Sequence, residues 1–122
     1  MAVRAKVITT LRTFGDQVWI VTWEGLTNAT SDSGDPFEMP GAADRSVQVI
    51  GTFGTGGSVR IEGSNDGTNY ATLADPSSTA LNITAAGIEG VQEITRWIRP
   101  RVTAGDGATD LDVILLVRRA YP

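Results

Sequence analysis

Strict two-residue alternation, broken by glycine, is the feature that most limits what this chain can fold into. Ser46 to Phe53 reads S-V-Q-V-I-G-T-F, with Val47, Val49, Gly51 and Phe53 on one side and Ser46, Gln48, Ile50 and Thr52 on the other. A period of two marks a strand, because successive side chains leave a pleated backbone on opposite faces. Ser58 to Glu62 repeats the pattern, with Val59 and Ile61 inward and Arg60 and Glu62 outward. Between them, Gly54-Thr55-Gly56-Gly57 supplies the positive φ that a tight hairpin turn requires. A second turn cluster, Gly63 to Asn69 with Asp66-Gly67 at its centre, leads into Tyr70 to Leu73. The spacing predicts a three-stranded meander.

Arg96 to Val102 alternates as well, placing Ile98, Pro100 and Val102 on one face and Trp97, Arg99 and Arg101 on the other. After a polar Gly/Asp loop, Leu111 to Val117 returns as L-D-V-I-L-L-V, and the two runs read as a second hairpin. Pro100 cannot donate to a ladder, which predicts an edge position or a bulge. Val7 to Thr13 and Gln17 to Trp23 form a further strand pair around Gly15-Asp16. Ala85 to Ile94 is the one helical candidate, and Gly87 and Gly90 reduce it to a single short turn. Seven or eight short strands with regular turn signals predict one all-β domain over residues 1–122. The expected architecture is an antiparallel β-sandwich, jelly-roll-like, with an Ig-like order as second choice. Residues 1–6 read as an N-terminal arm that could reach a neighbouring subunit, with fraying as the alternative. No run of apolar residues is long enough to span a bilayer, and no apolar segment follows the first two charges to make a signal peptide.

The chemistry open to such a chain is narrow. Its 122 residues include neither cysteine nor histidine. That excludes disulfides, thiolate zinc sites, cysteine nucleophiles and every Ser-His-Asp arrangement, and it removes the commonest metal ligand and general base. A formal charge of −4 is the wrong sign for coating nucleic acid. The expectation is therefore no enzyme, no cofactor, no metal, no nucleic-acid partner and no membrane. Glu62-x-Ser64-x-Asp66-Gly67 imitates the start of a calcium loop, but the twelfth position is Leu73 where a bidentate Glu is needed, and an Asp-Gly turn explains it better. The glycines of Gly51 to Gly57 lack the following Lys-Ser/Thr of a phosphate loop. Asp106, Asp110 and Asp112 read as a solvated loop, and the two Asn-x-Thr sequons at Asn28 and Asn82 as chance.

Surfaces are more informative. Gln17 to Trp23 carries Val18, Ile20 and Thr22 on one face and Trp19, Val21 and Trp23 on the other, and Leu111 to Val117 is apolar on both faces beyond Asp112. A sandwich buries one face of each sheet, so two-sided strands call for a second cover, from a flap or, by preference, a neighbouring subunit. Nine of the ten basic residues are Arg, the cation favoured where charge is held in planar contact at interfaces. Trp97, Arg99 and Arg101 on one strand face make an interface patch, or else an Arg ladder paired with carboxylates on adjacent strands. Phe37 and Met39 stand out as apolar residues in a hydrophilic connection. The interface candidates are Trp19, Trp23, Phe37, Met39, Trp97, Arg99 and Arg101.

Several segments together resemble a known group. They are V-T-W-E-G-L (Val21 to Leu26), P-F-E-M-P-G-A-A-D-R-S-V-Q-V (Pro36 to Val49), S-V-R-I-E-G-S-N-D-G-T-N-Y-A-T-L (Ser58 to Leu73), R-W-I-R-P-R-V (Arg96 to Val102) and G-D-G-A-T-D-L-D-V-I-L (Gly105 to Leu115). The chain resembles the head decoration, or cement, proteins of tailed bacteriophages across most of its length. The resemblance implies a virion protein on the outer capsid surface that bridges major capsid protein subunits and stabilises the head, working with its own copies as a dimer or trimer. It carries no single functional residue. The turn S-N-D-G-T-N-Y is also similar to discoidin-like sugar-binding sandwiches, which with Trp19, Trp23, Trp97 and Tyr70 gives a second reading: a carbohydrate-binding module, on a virion or elsewhere, that stacks sugars on aromatic faces.

Overall fold

The structure, a computed structural model, describes residues 2–11, 18–29, 31–38 and 42–119. It is a β-sandwich of two sheets, with no helix among the described residues. The five-stranded sheet has the order β10-β6-β12-β3-β2 and is antiparallel throughout, with β2 at Lys6–Thr10, β3 at Val18–Thr27, β6 at Ala42–Thr52, β10 at Gly87–Gly90 and β12 at Asp110–Arg119. The other sheet runs β1-β4-β11-β7-β8, with β1 at Val3–Arg4, β4 at Ser33–Gly34, β7 at Ser58–Ser64, β8 at Ala71–Thr72 and β11 at Trp97–Ala104. Two short strands, β5 (Phe37–Glu38) and β9 (Asn82–Ile83), pair with β11 and β7 beside that path.

The alternation assigns faces as expected. Val47 and Val49 of β6, Val59 and Ile61 of β7, Ile98 and Val102 of β11, and the four residues Leu111, Val113, Leu115 and Val117 of β12 all lie in the core between the sheets. Pairing is a different matter. The expected β6–β7 hairpin does not exist, because β6 belongs to one sheet and β7 to the other. The same holds for β11 and β12, so the two predicted hairpins are both corners that cross the core. Gly54 and Gly56 do adopt positive φ (69° each), but they turn the chain between layers. Only β7–β8 and β2–β3 pair as the spacing predicts; the turn around Gly15-Asp16 lies outside the described residues.

The two corners lie against each other and are joined through Asp106 and Thr109. The Thr109 hydroxyl donates to Phe53 O at 2.7 Å and accepts from Asp106 N, and Asp106 Oδ2 accepts from Thr55 N at 2.9 Å. The N–H groups of Thr55 and Ala108 hold the Asp106 carboxyl below the usual carboxylate range.

Other expectations change in detail. The helical candidate is strand β10, a short edge paired with β6, as suits a segment holding two glycines. The N-terminal arm is docked on its own chain: β1 pairs in parallel with β4, Ser33 N donates to Ala2 O, Asp35 N donates to Arg4 O, and Arg4 Nε donates to the buried Asp32. Pro100 sits inside the sheet, opposite Ile61. Ile61 spends its N–H and C=O on Leu81 and Leu73, so the β7–β11 ladder asks nothing of Pro100 N. The other flank of Pro100 is the gap between β4 and β5, where no ladder donor is required. The bulge in β11 falls later, between Val102 and Ala104.

Trp23 is the largest fully buried side chain, and its Nε1 donates to Asp35 O at 2.9 Å. Gly34 crosses directly over the indole: a Cβ there would lie 2.5 Å from Trp23 Cδ1 and 2.7 Å from Pro100 Cδ. Neither neighbour can move in a filled core. Gly34→Ala should therefore lower the unfolding free energy by about 1–3 kcal/mol in urea titration. Gly107→Ala, with open space around its Cβ, should leave it unchanged.

Candidate interaction surfaces

The seven candidate residues fall into three environments. Trp23 is core. Trp19, half-buried on the inner face of β3, packs against the core cluster with the Arg119 guanidinium 5.2 Å from its ring centroid. Phe37 is also half-buried against the core, paired with Ile98. These three aromatics serve the inside of the sandwich, and Trp23 in particular is closed to any partner. Met39 lies outside the described residues. Trp97, Arg99 and Arg101 are brought together, half-buried, on the outer face of β11.

That outer face is an ionic platform built on Glu62. The sequence pattern sends Glu62 outward, yet it is buried at 4% exposure because Arg99 and Arg101 close over it. Arg99 Nε donates to Oε1 at 3.1 Å, and Arg101 Nε donates to Oε2 at 3.0 Å. β11 and β7 are in register with Arg99 opposite Glu62 and Arg101 opposite Arg60, so one carboxylate serves two guanidiniums. The Arg ladder and the candidate interface strip are the same residues. Tyr70 stacks on Arg99, its ring centroid 3.8 Å from Cζ. Burial raises the Tyr70 phenol above its ordinary pKa, against the pull of Arg99. Beside them, Trp97 and Tyr70 share an open recess of about 270 Å³ with Lys6, Asp35, Pro36 and Gly67, where Lys6 and Asp35 form an ion pair. Asp35 and Lys6 have no signal in the sequence pattern, because they meet only when β1 docks beside β4.

Asp66 is committed to its turn. Oδ1 accepts the N–H groups of Asn69 and Thr68 and the Ser64 hydroxyl, each at 2.8 Å, and Oδ2 accepts from Asn69 Nδ2. With Glu62 held by arginines, the segment that imitates a calcium loop has spent its carboxylates elsewhere. No group of three or more acidic side chains suited to a metal occurs among the described residues. The hydrogen bonds, first from Asn69 N, drive the Asp66 pKa far below the usual range.

The opposite sheet has a different surface. On the outer face of the five-stranded sheet, register aligns Ile88, Gln48, Ile114, Thr22 and Val7 in one row and Ser46, Leu116, Ile20 and Thr9 in the next. Ile88 is 64% exposed, Val7 57%, and Leu116 and Ile50 39% each. The second face of the two-sided strands is thus left uncovered by the described residues.

No protein-family model matches the sequence, and no curated protein does. Among solved structures, the crystal structure of the SPBc2 prophage-derived protein YomS is similar, with a TM-score of 0.59 and 13% identity over 82% of this chain and 93% of that one. At this identity the likeness is one of fold. The crystal structure of FeII HppE reaches a TM-score of 0.41 at 10% identity, covering 92% of this chain and 56% of that one, and carries no argument.

Glu62→Gln should leave two guanidiniums facing a neutral amide and cost about 2 kcal/mol or more, read from urea unfolding. Asp66 gives a pH signature. Its carboxyl titrates near 3.9 in the unfolded chain and far lower in the fold, so the stability it contributes is complete above about pH 3.9 and lost as pH falls through the folded value. Asp66→Ala should lower Tm at neutral pH and flatten the fall of Tm between about pH 4 and pH 2. A Tm curve that stays parallel to the wild type through that window would contradict this assignment.

Proposed function

We propose that the protein is a bacteriophage virion structural protein, a decoration or cement protein that binds the outer capsid surface and bridges major capsid protein subunits. The observation that carries this reading is the Trp97–Arg99–Arg101 strip. In a chain of net charge −4, the outer face of β7 and β11 sets Arg60, Arg99 and Arg101 against the single carboxylate of Glu62. A planar, basic surface with an aromatic at its border suits an acidic protein partner, since Arg and Trp dominate binding hot spots. Glu62 and Tyr70 hold the guanidiniums in place before binding, which reduces the ordering cost on contact. Sequence resemblance to the decoration proteins and the shared fold of a prophage-derived protein support the phage setting. On a repetitive shell, multivalency would let modest single contacts hold firmly.

A second reading has its own observation. The recess of Trp97, Tyr70, Lys6 and Asp35 offers an aromatic wall beside paired polar groups, the arrangement a saccharide ring would use. Trp19 and Trp23, turned to the core, take no part in it.

The protein should co-sediment with expanded empty heads of the phage whose genome encodes it, more weakly as salt rises. Arg60→Glu and Trp97→Ala should each reduce binding at least about tenfold while leaving the fold intact. Wild-type protein that fails to bind such heads but binds on a glycan array would replace the first reading with the second.

A further inference from the structure

We infer that Arg60 and Arg101 form a clamp for one carboxylate of a protein partner, seated between them as Glu62 is seated between Arg99 and Arg101. The inference rests on the proposed function for the kind of partner; it adds the seat, the group that enters it and a cost to the stability of the free protein.

Strand register puts the two cations together. Arg101 of β11 stands directly opposite Arg60 of β7, and the row across the sheet reads Ser33, Arg101, Arg60, Asn82 over β4, β11, β7 and β9. Opposed residues have Cα atoms about 4.5–5.5 Å apart, and like charges so placed repel. The row itself holds no carboxylate. On one side of the pair lie Ser58 and Thr103, whose hydroxyls are hydrogen-bonded to each other at 2.9 Å. On the other side lies the row of Arg99 and Glu62.

Glu62 does not neutralise this pair. Its Oε1 accepts from Arg99, and its Oε2 accepts from Arg101 Nε at 3.0 Å and Arg101 Nη2 at 2.9 Å. Arg101 thus commits one edge of its guanidinium to Glu62 and keeps Nη1 without a partner among the described residues. Arg60 is exposed and forms no ion pair among them. On this face Arg60 meets two guanidiniums and one carboxylate, so repulsion outweighs attraction. A carboxylate with an oxygen on each guanidinium would extend the alternation of Arg99, Glu62 and Arg101 as far as Arg60, with charge-assisted hydrogen bonds at both ends. The Ser58 and Thr103 hydroxyls keep that flank polar, and Asn82 brings no competing charge. Arg60 therefore weakens the free protein and strengthens the complex.

The full chain tests this with sodium acetate as the probe, sodium chloride holding the ionic strength constant. The Nε–Hε resonances of Arg60 and Arg101 should shift saturably in the millimolar range, and that of Arg118, paired with Asp44, should not. Arg60→Lys keeps the charge and loses the planar fork, and should weaken the acetate response at Arg101 at least about fivefold. Arg60→Gln should abolish that response and raise Tm by about 1–3 °C at low salt, a gain that fades as salt rises. The clamp is overturned by the absence of a saturable shift, by a response that Arg60→Lys leaves intact, or by a lower Tm in Arg60→Gln at low salt. Head binding separates it from the proposed function. Heads that bind wild type and release Arg60→Lys support the clamp, whereas heads that hold both equally place the contact elsewhere and overturn it. A wild type that responds to acetate and ignores heads overturns the proposed function alone and leaves the clamp supported.

Discussion

The sandwich depends on two chain crossings that are held together. β6 leaves one sheet and β7 enters the other; β11 and β12 make the reverse passage. Each crossing would be a loose loop alone, since neither pair of strands shares a ladder. Thr109, buried between them, donates to Phe53 O and accepts from Asp106 N, while the Asp106 carboxylate accepts from Thr55. The two corners thus hold one another through groups that would otherwise be left without partners at the end of the core. With that end closed, β12 lies between β6 and β3, and its inward Leu and Val residues meet Val59, Ile61, Ile98 and Val102 across the gap.

Closing the core in this way leaves two outer faces with opposite character. On β7 and β11, a single buried carboxylate organises two guanidiniums and, through Arg99, a tyrosine ring. Such a platform is rigid, polar and basic. On β12 and its neighbours, branched aliphatic side chains stand in the open with charges confined to the strand ends. The same sandwich therefore presents one surface suited to electrostatic recognition and one suited to apolar packing.

Face assignment was legible in the sequence; partnership was not. Alternation alone places Val59 and Ile61 inward and sets Val47 with Val49, and Ile98 with Val102, on one face of their strands, and the structure buries all six. The glycines at 54 to 57 announced a sharp turn, and Gly54 and Gly56 take the positive φ expected. Whether such a turn folds a strand back beside its predecessor or carries it across the core depends on which edges are already taken. β12 takes the β6 edge that a hairpin would have given to β7. Glu62 failed for a related reason: its outward position was correct, and its burial came from arginines thirty-seven and thirty-nine residues away. The aromatic candidates divided in the same manner. Trp97 faces outward, while Trp23 and Trp19 occupy the inner face together with Val21, a side that alternation on a strand apolar on both faces does not choose.

By itself, the sequence determined the all-β class, which residues of each long strand share a face, the turn at Asp66-Gly67 and the absence of thiol and imidazole chemistry. These follow from local geometry and residue inventory, which need no knowledge of what lies opposite. The tertiary structure alone decided that adjacent strands would lie in different sheets, that residues 2 to 6 would dock beside β4, and that Glu62 would be closed over by two arginines. Each of these is a contact between residues distant in the chain, selected by the competition of strand edges for partners. No local period records that competition.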